Sequence, residues 1–263
     1  MFAVMGRPYS GSPDELRQWA QGDVVKWFQP PVDSIYPDIN TLRLELGHIL
    51  KKADAESLDI PRMSYATVVW GISRPVVRVD SVMLIALNHY LGSDFEGYSG
   101  WDAYRRALKN TDQMYYDLAA AIVATEYPFE GGDSPSLLSW MLYEGALAEA
   151  RIRLVLDPTA AGALGLTQEQ FEFLENNSKQ MWQELAGRRM LYDTDPALIN
   201  RMIASAPTSP LLGGKAPGRA GRYIGYAIVR AYLDKHPDTS LRQLLSPDFY
   251  LSQKTLIESG YSG

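Results

Sequence analysis

Ser134 to Asp157 reads SPSLLSWMLYEGALAEARIRLVLD, and the rest of the chain can be read outward from it. Ser134 followed by Pro135 signals a helix start, with proline at the first helical position, where its missing N–H costs nothing. Asp157-Pro158 closes the helix, because proline cannot continue one. Between these limits Leu137, Met141, Ala148, Ile152 and Val155 recur at steps of three and four and share one face. Glu144 completes that row. A carboxylate in an apolar stripe must be paired, hydrogen-bonded, metal-bound or protonated, since burying it alone costs several kcal/mol. Any chemistry in this chain is expected to look at Glu144.

The bulk numbers bound the problem. At 263 residues, with 46% apolar and 21% charged residues, the composition is that of a globular protein able to bury a substantial core. A net charge of −6 and the lack of any Lys/Arg cluster longer than Arg188-Arg189 argue against nucleic acid as a partner. Cysteine is absent, which excludes disulfides, thiolate metal sites and a cysteine nucleophile. No apolar run approaches the roughly 18 residues of a membrane span. No signal peptide is visible, although Met1 is compatible with a start that replaces a removed leader.

Upstream, Ser12-Pro13-Asp14-Glu15 is a capping box that predicts a helix to about Phe28, stopped by Pro30-Pro31. Pro37-Asp38 starts the next helix, with Ile39, Leu42, Leu46, Ile49 and Leu50 facing one way. The character changes at Ser64. Tyr65–Trp70, Arg74–Val79 and Val82–Leu87 are rich in β-branched and aromatic residues and read as three strands, the last buried on both faces. From Ser99 the pattern is helical, with Ser99 capping a helix through Lys109 and Thr111 one through Glu126.

Downstream of the opening stretch, residues 158–166 read as a loop. Thr167–Gln170 is a capping box for a helix to about Ala186, and Thr194-Asp195-Pro196 starts a short helix ending near Ser205. The loop Pro207 to Pro217 is a candidate ligand-facing segment. A helix from about Gly218 to Lys235 follows, then two short helices from Ser246-Pro247 and Ser252, capped by Gly260. The expectation is one α+β domain over 1–263, predominantly helical, with a small sheet at about 64–88 packed by helices. Residues 1–35 form its extended and helical N-terminal arm.

The usual catalytic signatures are missing: no HExxH, no GxSxG, no phosphate-binding loop and no GxGxxG. His89 leaves the third strand in Leu87-Asn88-His89-Tyr90. One reading is a histidine bonded to backbone at a turn; the other makes Asn88, His89 and Asp94 part of a site facing Glu144. Arg105 is either part of a solvated face or turned inward to neutralise Asp117 or Glu144. Glu149 and Arg153, four apart, read as a surface ion pair. Gly218, Gly221 and Gly225 share one helix face and each costs about 1 kcal/mol in helix propensity. Close approach of another helix offsets that, or else the glycines clear room for a ligand lined by Arg219, Arg222 and Tyr226.

The segments VMLIALNHYLGSD (82–94), YRR (104–106), SLLSWMLYEGALAEA (136–150), LGLTQEQ (164–170), LYDTDP (191–196) and APGRAGRYIGYAIVRAYL (216–233) occur in that order. As a set they resemble the gliding-motility lipoprotein GldB and its relatives in Bacteroidota, over roughly Tyr36 to Tyr261. The resemblance implies an exported, periplasm-facing lipoprotein of the cell envelope, lipid-anchored upstream of this sequence, with envelope proteins as partners. A second echo, in Tyr143-Glu144-Gly145-Ala146 and the later Gly225–Val229, is to gluzincin-type zinc peptidases. There Glu144 would match the metal-ligand glutamate, but the helix preceding it reads DLAAAIVATE (117–126) without a histidine. That echo implies a degenerate zincin-like scaffold lacking two ligands and the general base.

Three functions are therefore expected to compete. The first is a non-catalytic, GldB-like binding protein of gliding or secretion machinery, without cofactor or metal. The second is a hydrolase of envelope peptides or polymers using Glu144 with His89, Asp94 or Asp117. The third is a small-ligand binder. The residues expected at a binding site are Asn88, His89, Arg105, Asp117, Tyr143, Glu144, Arg219, Arg222 and Tyr226.

Overall fold

The computed structural model describes residues 3–4, 7–8, 13–70 and 74–263. Ser12 lies outside them, and so does the cap assigned to it. In chain order the elements are β1 (Ala3–Val4), β2 (Arg7–Pro8), α1 (Pro13–Ala20), α2 (Asp23–Ile35), α3 (Asn40–Ala55), β3 (Ser64–Val68), β4 (Val76–Val79), β5 (Val82–Ala86), α4 (Ala103–Arg106), α5 (Thr111–Glu126) and α6 (Leu137–Leu154). They continue with α7 (Ala160–Leu164), α8 (Gln168–Asn176), α9 (Ser178–Gly187), α10 (Pro196–Ile203), α11 (Ala220–Lys235), α12 (Leu241–Leu244), α13 (Pro247–Tyr250) and α14 (Gln253–Ser259). The chain divides into two compact units, 1–47 with 61–121 and 48–60 with 122–263, the divisions falling inside α3, between Ile60 and Pro61, and inside α5.

The first unit is built on a mixed sheet of order β3-β5-β4. Its central strand, β5, pairs in parallel with β3 (Ser64 with Val82 to Val68 with Ala86) and antiparallel with β4 (Val79 with Val82 to Val76 with Ile85). Met83, Leu84, Ile85 and Ala86 are all buried, the two-sided burial expected of a continuous apolar run. The hairpin turns on Asp80 and Ser81, with Asp80 at φ 51°, a left-handed conformation aspartate tolerates because its short side chain can bond locally.

The helices of this unit correct four expectations. A single helix to Phe28 is in fact two, because Gly22 takes an extended ψ of 156° and separates α1 from α2. The second does not stop at Pro30-Pro31 but carries both prolines inside it to Ile35. Proline forfeits an N–H bond there, yet its fixed φ is helical, and burial of Val32 holds the last turn in place. The expected helix from Ser99 to Lys109 is only α4, since Asp102 is extended at ψ 146°. α5 begins as expected, although its cap is Asn110, whose Oδ1 accepts from Gln113 N–H at 2.9 Å.

The second unit is centred on α6. Its cap is Ser136, not Ser134: the Ser136 hydroxyl accepts from Ser139 N–H, so Ser134 and Pro135 precede the helix. The apolar stripe proves too narrow a description. Fifteen residues of α6 are buried, on every side, as in a helix at the centre of a bundle. α11 packs most extensively against it, with α7, α10, α12 and α13 completing the cage.

The helix expected from Gly218 starts at Ala220, so Gly221 and Gly225 lie on α11 and Gly218 just before it; all three serve close packing, but against three separate neighbours. A Cβ on Gly218 would meet the backbone of Ala206, one on Gly221 the Met202 carbonyl, and one on Gly225 the Met141 carbonyl of α6. Gly145 answers from α6: its Cβ would lie 2.5 Å from the backbone of Gly225. Two helix backbones meet directly at Gly145 and Gly225.

Among the shorter helices, the Thr167–Gln170 capping box forms, and Asp195 caps α10 through Ala197 and Leu198 N–H. Gly260 ends α14 in the left-handed region at φ 63°. The loop expected at 158–166 contains α7, capped by Thr159, and the helix expected to reach Ala186 breaks at Asn177 into α8 and α9.

Candidate functional site

The glycine contact brings Arg222 of α11 to Glu144 of α6. Glu144 is 8% exposed, and its Oε2 lies 3.3 Å from Arg222 Nε. Arg222 donates its Nε–H elsewhere, to the Ile203 carbonyl at 2.8 Å, so charge alone links it to the carboxylate. Glu144 Oε2 is buried without a hydrogen-bond partner. Tyr143 turns away, donating to the Tyr127 carbonyl at 2.8 Å, and burial, followed by the Glu144 charge, pushes its phenol well above the usual range. Arg219 sits just before α11 at φ 66° and donates to the Gly165 carbonyl at the end of α7. Tyr226, half-buried on α11, has its phenol raised mainly by burial.

Beside this pair lies a cavity of about 500 Å³ lined by Trp140, Pro196, Ile199, Asn200, Ile203 and Arg222, among others. On the far stretch of α6, Glu149 corrects the expected surface pair. It is 3% exposed and sits between Arg153 at 2.9 Å and Arg230 at 3.4 Å, while Arg153 also reaches Glu56 at 3.2 Å.

The remaining candidates belong to the first unit. Asn88 continues the sheet with its side chain: its Oδ1 accepts from Trp70 N–H at 3.2 Å and its Nδ2 donates to Trp70 C=O at 2.9 Å. His89, 3% exposed, accepts from the Lys109 ammonium at Nδ1 over 2.9 Å, which places its ring proton on Nε2. Lys109 also lies 5.0 Å from the Trp101 ring centre, close enough for a cation–π contact. Asp117 accepts from Tyr90 O–H at 2.9 Å and Gln113 Nε2 at 3.0 Å. Tyr98 closes the turn by donating to the Asn88 carbonyl at 2.6 Å. Asp94 is exposed, and Arg105 is exposed beside Asp102 at 3.9 Å rather than turned toward a buried carboxylate.

Thus Asn88, His89 and Asp117 form one cluster in the first unit, while of Tyr143, Glu144, Arg219, Arg222 and Tyr226, all in the second, Glu144 and Arg222 are the two brought into contact. Lys109, Trp101 and Asn200 carry no period or motif that would single them out. Among the described residues no group of three or more His, Asp or Glu side chains is placed to hold a metal ion.

Lys109 gives the first cluster a measurable signature. Burial lowers its ammonium from 10.5 to about 8, with Asp117 partly opposing the shift. Between those values the unfolded chain keeps a proton that the folded chain has released. Stability from this group therefore rises with pH from about 8 and is flat below. Above pH 10 the raised phenols of Tyr90 and Tyr98 act in the opposite direction. The unfolding free energy of wild type, from denaturant titrations, should climb from pH 7.5 to 9.5 by on the order of 2 kcal/mol relative to Lys109→Met, which lacks the titrating group. Parallel pH profiles would refute it.

The buried helix pair and the small mixed sheet together define a helix-dominated α+β protein. The chain belongs to the gliding motility protein GldB family, whose model matches residues 1–263. Membership associates it with gliding motility and with the protein machinery of the cell envelope. No helix among the described residues is long and apolar enough to cross a membrane. No curated protein and no solved structure matches the chain.

Proposed function

We propose that this chain works without catalysis, as a periplasm-facing, lipid-anchored binding component of gliding or secretion machinery. The unbroken family match over 1–263 supports reading its two units as one GldB-like domain with one task. The observation that carries the non-catalytic part is how the candidate groups are used. Asn88 completes a sheet edge, Asp117 holds Tyr90 and Gln113, and Glu144 balances Arg222 between two packed helices. Each is a structural contact inside its own unit, and the chain is accordingly expected to bind an envelope protein through its surface.

The hydrolase alternative makes the opposite demand on Glu144 and His89. A strain lacking the gene, complemented with Glu144→Gln or His89→Gln variants that fold as wild type does, separates the two. Full restoration of spreading motility by both variants is the expected result. A folded, envelope-localised variant that fails to restore motility would overturn the non-catalytic reading.

A further inference from the structure

Arg222 has more donors than the protein uses. Its Nε–H is spent on Ile203, and among the described residues its two terminal nitrogens have no hydrogen-bond acceptor. The same side chain lines the cavity of about 500 Å³ beside α10, a volume typical of small-molecule sites. The rest of the wall is mostly apolar, with Trp140, Pro196, Ile199 and Ile203, and the exposed Asn200 at its edge. A cavity of this kind, with a planar cationic fork at one end and apolar walls, is complementary to one shape of ligand.

We infer that the cavity binds a small molecule with an apolar body and a single carboxylate head. The carboxylate fits the terminal edge of a guanidinium whose Nε–H is already donated to Ile203, forming a bidentate pair with the two Nη groups. Glu144 sits 3.3 Å from Arg222 and the exposed Asp133 also lines the cavity, so repulsion weighs more on a dianion such as phosphate than on the single charge of a carboxylate. The apolar body gains from burial against Trp140 and the α10 side chains, at about 25 cal/mol per Å². This site is separate from the envelope partner proposed above, and neither stands on the other.

Octanoate is the probe, and octanol, with the same chain and no charge, is its control. Titration calorimetry on the purified chain is expected to give saturable binding of one octanoate per chain, with octanol at least tenfold weaker. Arg222→Lys keeps a charge against Glu144 but loses the fork, and should weaken octanoate at least tenfold. Asn200→Trp, made from an exposed position at the wall, should abolish binding while leaving the unfolding midpoint in place. Equal affinity for octanol, or no saturable binding of octanoate by the folded wild type, overturns the assignment. So does unchanged octanoate binding in Asn200→Trp.

Discussion

Gly225→Ala should destabilise the chain by about 3 kcal/mol or more, although alanine is the better helix former. In an exposed helix interior the same change gains roughly 1 kcal/mol, because glycine surrenders more backbone freedom on folding. At Gly225 the added methyl would overlap the carbonyl oxygen of Met141. That atom belongs to the backbone of α6, buried on every side, and cannot swing away as the end of a flexible side chain can. Relief requires α6 and α11 to part, which opens the most extensive helix contact in the second unit. Overpacking of this kind costs about 1–3 kcal/mol where neighbours can shift and more where they cannot. Gly47, inside α3 with nothing within 4 Å of a Cβ, supplies the control, where alanine should stabilise. Urea unfolding of both variants checks the pair. Equal midpoints for Gly225→Ala and wild type would mean that the two backbones do not meet as described.

The glycine row shows how far the sequence alone reaches. Three glycines on one helix face signal close approach, and that much is legible because their cost must be offset somewhere. Which neighbour approaches is not legible, and Gly145 on α6, the glycine that makes the contact mutual, carries no periodic mark of its own. Local signals fared well wherever one short segment decides its own conformation: the Thr167–Gln170 box, Asp195-Pro196, Gly260 and the two-sided apolar run of β5. They failed where packing overrode them. Pro30-Pro31 reads as a stop, yet the helix passes through them because Val32 is buried. Ser134-Pro135 reads as a start, yet Ser136 holds the cap. At the candidate site Glu144 was visible as a carboxylate out of place on an apolar face, and Arg222 as a residue beside the glycine row, but not that the two meet. Lys109 was invisible, because its neighbours His89 and Trp101 come from other parts of the chain and nothing in the segment around it announces burial.

Arg222→Met should cost about 3–5 kcal/mol, the expense of stranding a carboxylate rather than of losing an attraction. Glu144 is 8% exposed and its Oε2 has no hydrogen bond even in wild type, so the Arg222 charge at 3.3 Å is its main compensation. The same substitution leaves the Ile203 carbonyl without its Arg222 donor. That adds a lost hydrogen bond from a charged donor, worth about 1.5–3 kcal/mol, to the uncompensated carboxylate. If this account is right, the loss belongs mostly to Glu144 and disappears when that charge is removed too. Glu144→Met in the Arg222→Met background should therefore recover most of the stability, since replacing both members of a buried pair by apolar residues of similar size is often neutral or better. A double-mutant cycle measures the coupling directly. Strong coupling, with the double variant more stable than Arg222→Met alone, identifies the pair as a charge balance between two helices. Additive losses would instead place the cost of Arg222→Met in the Ile203 contact and leave Glu144 without a role in holding α6 to α11.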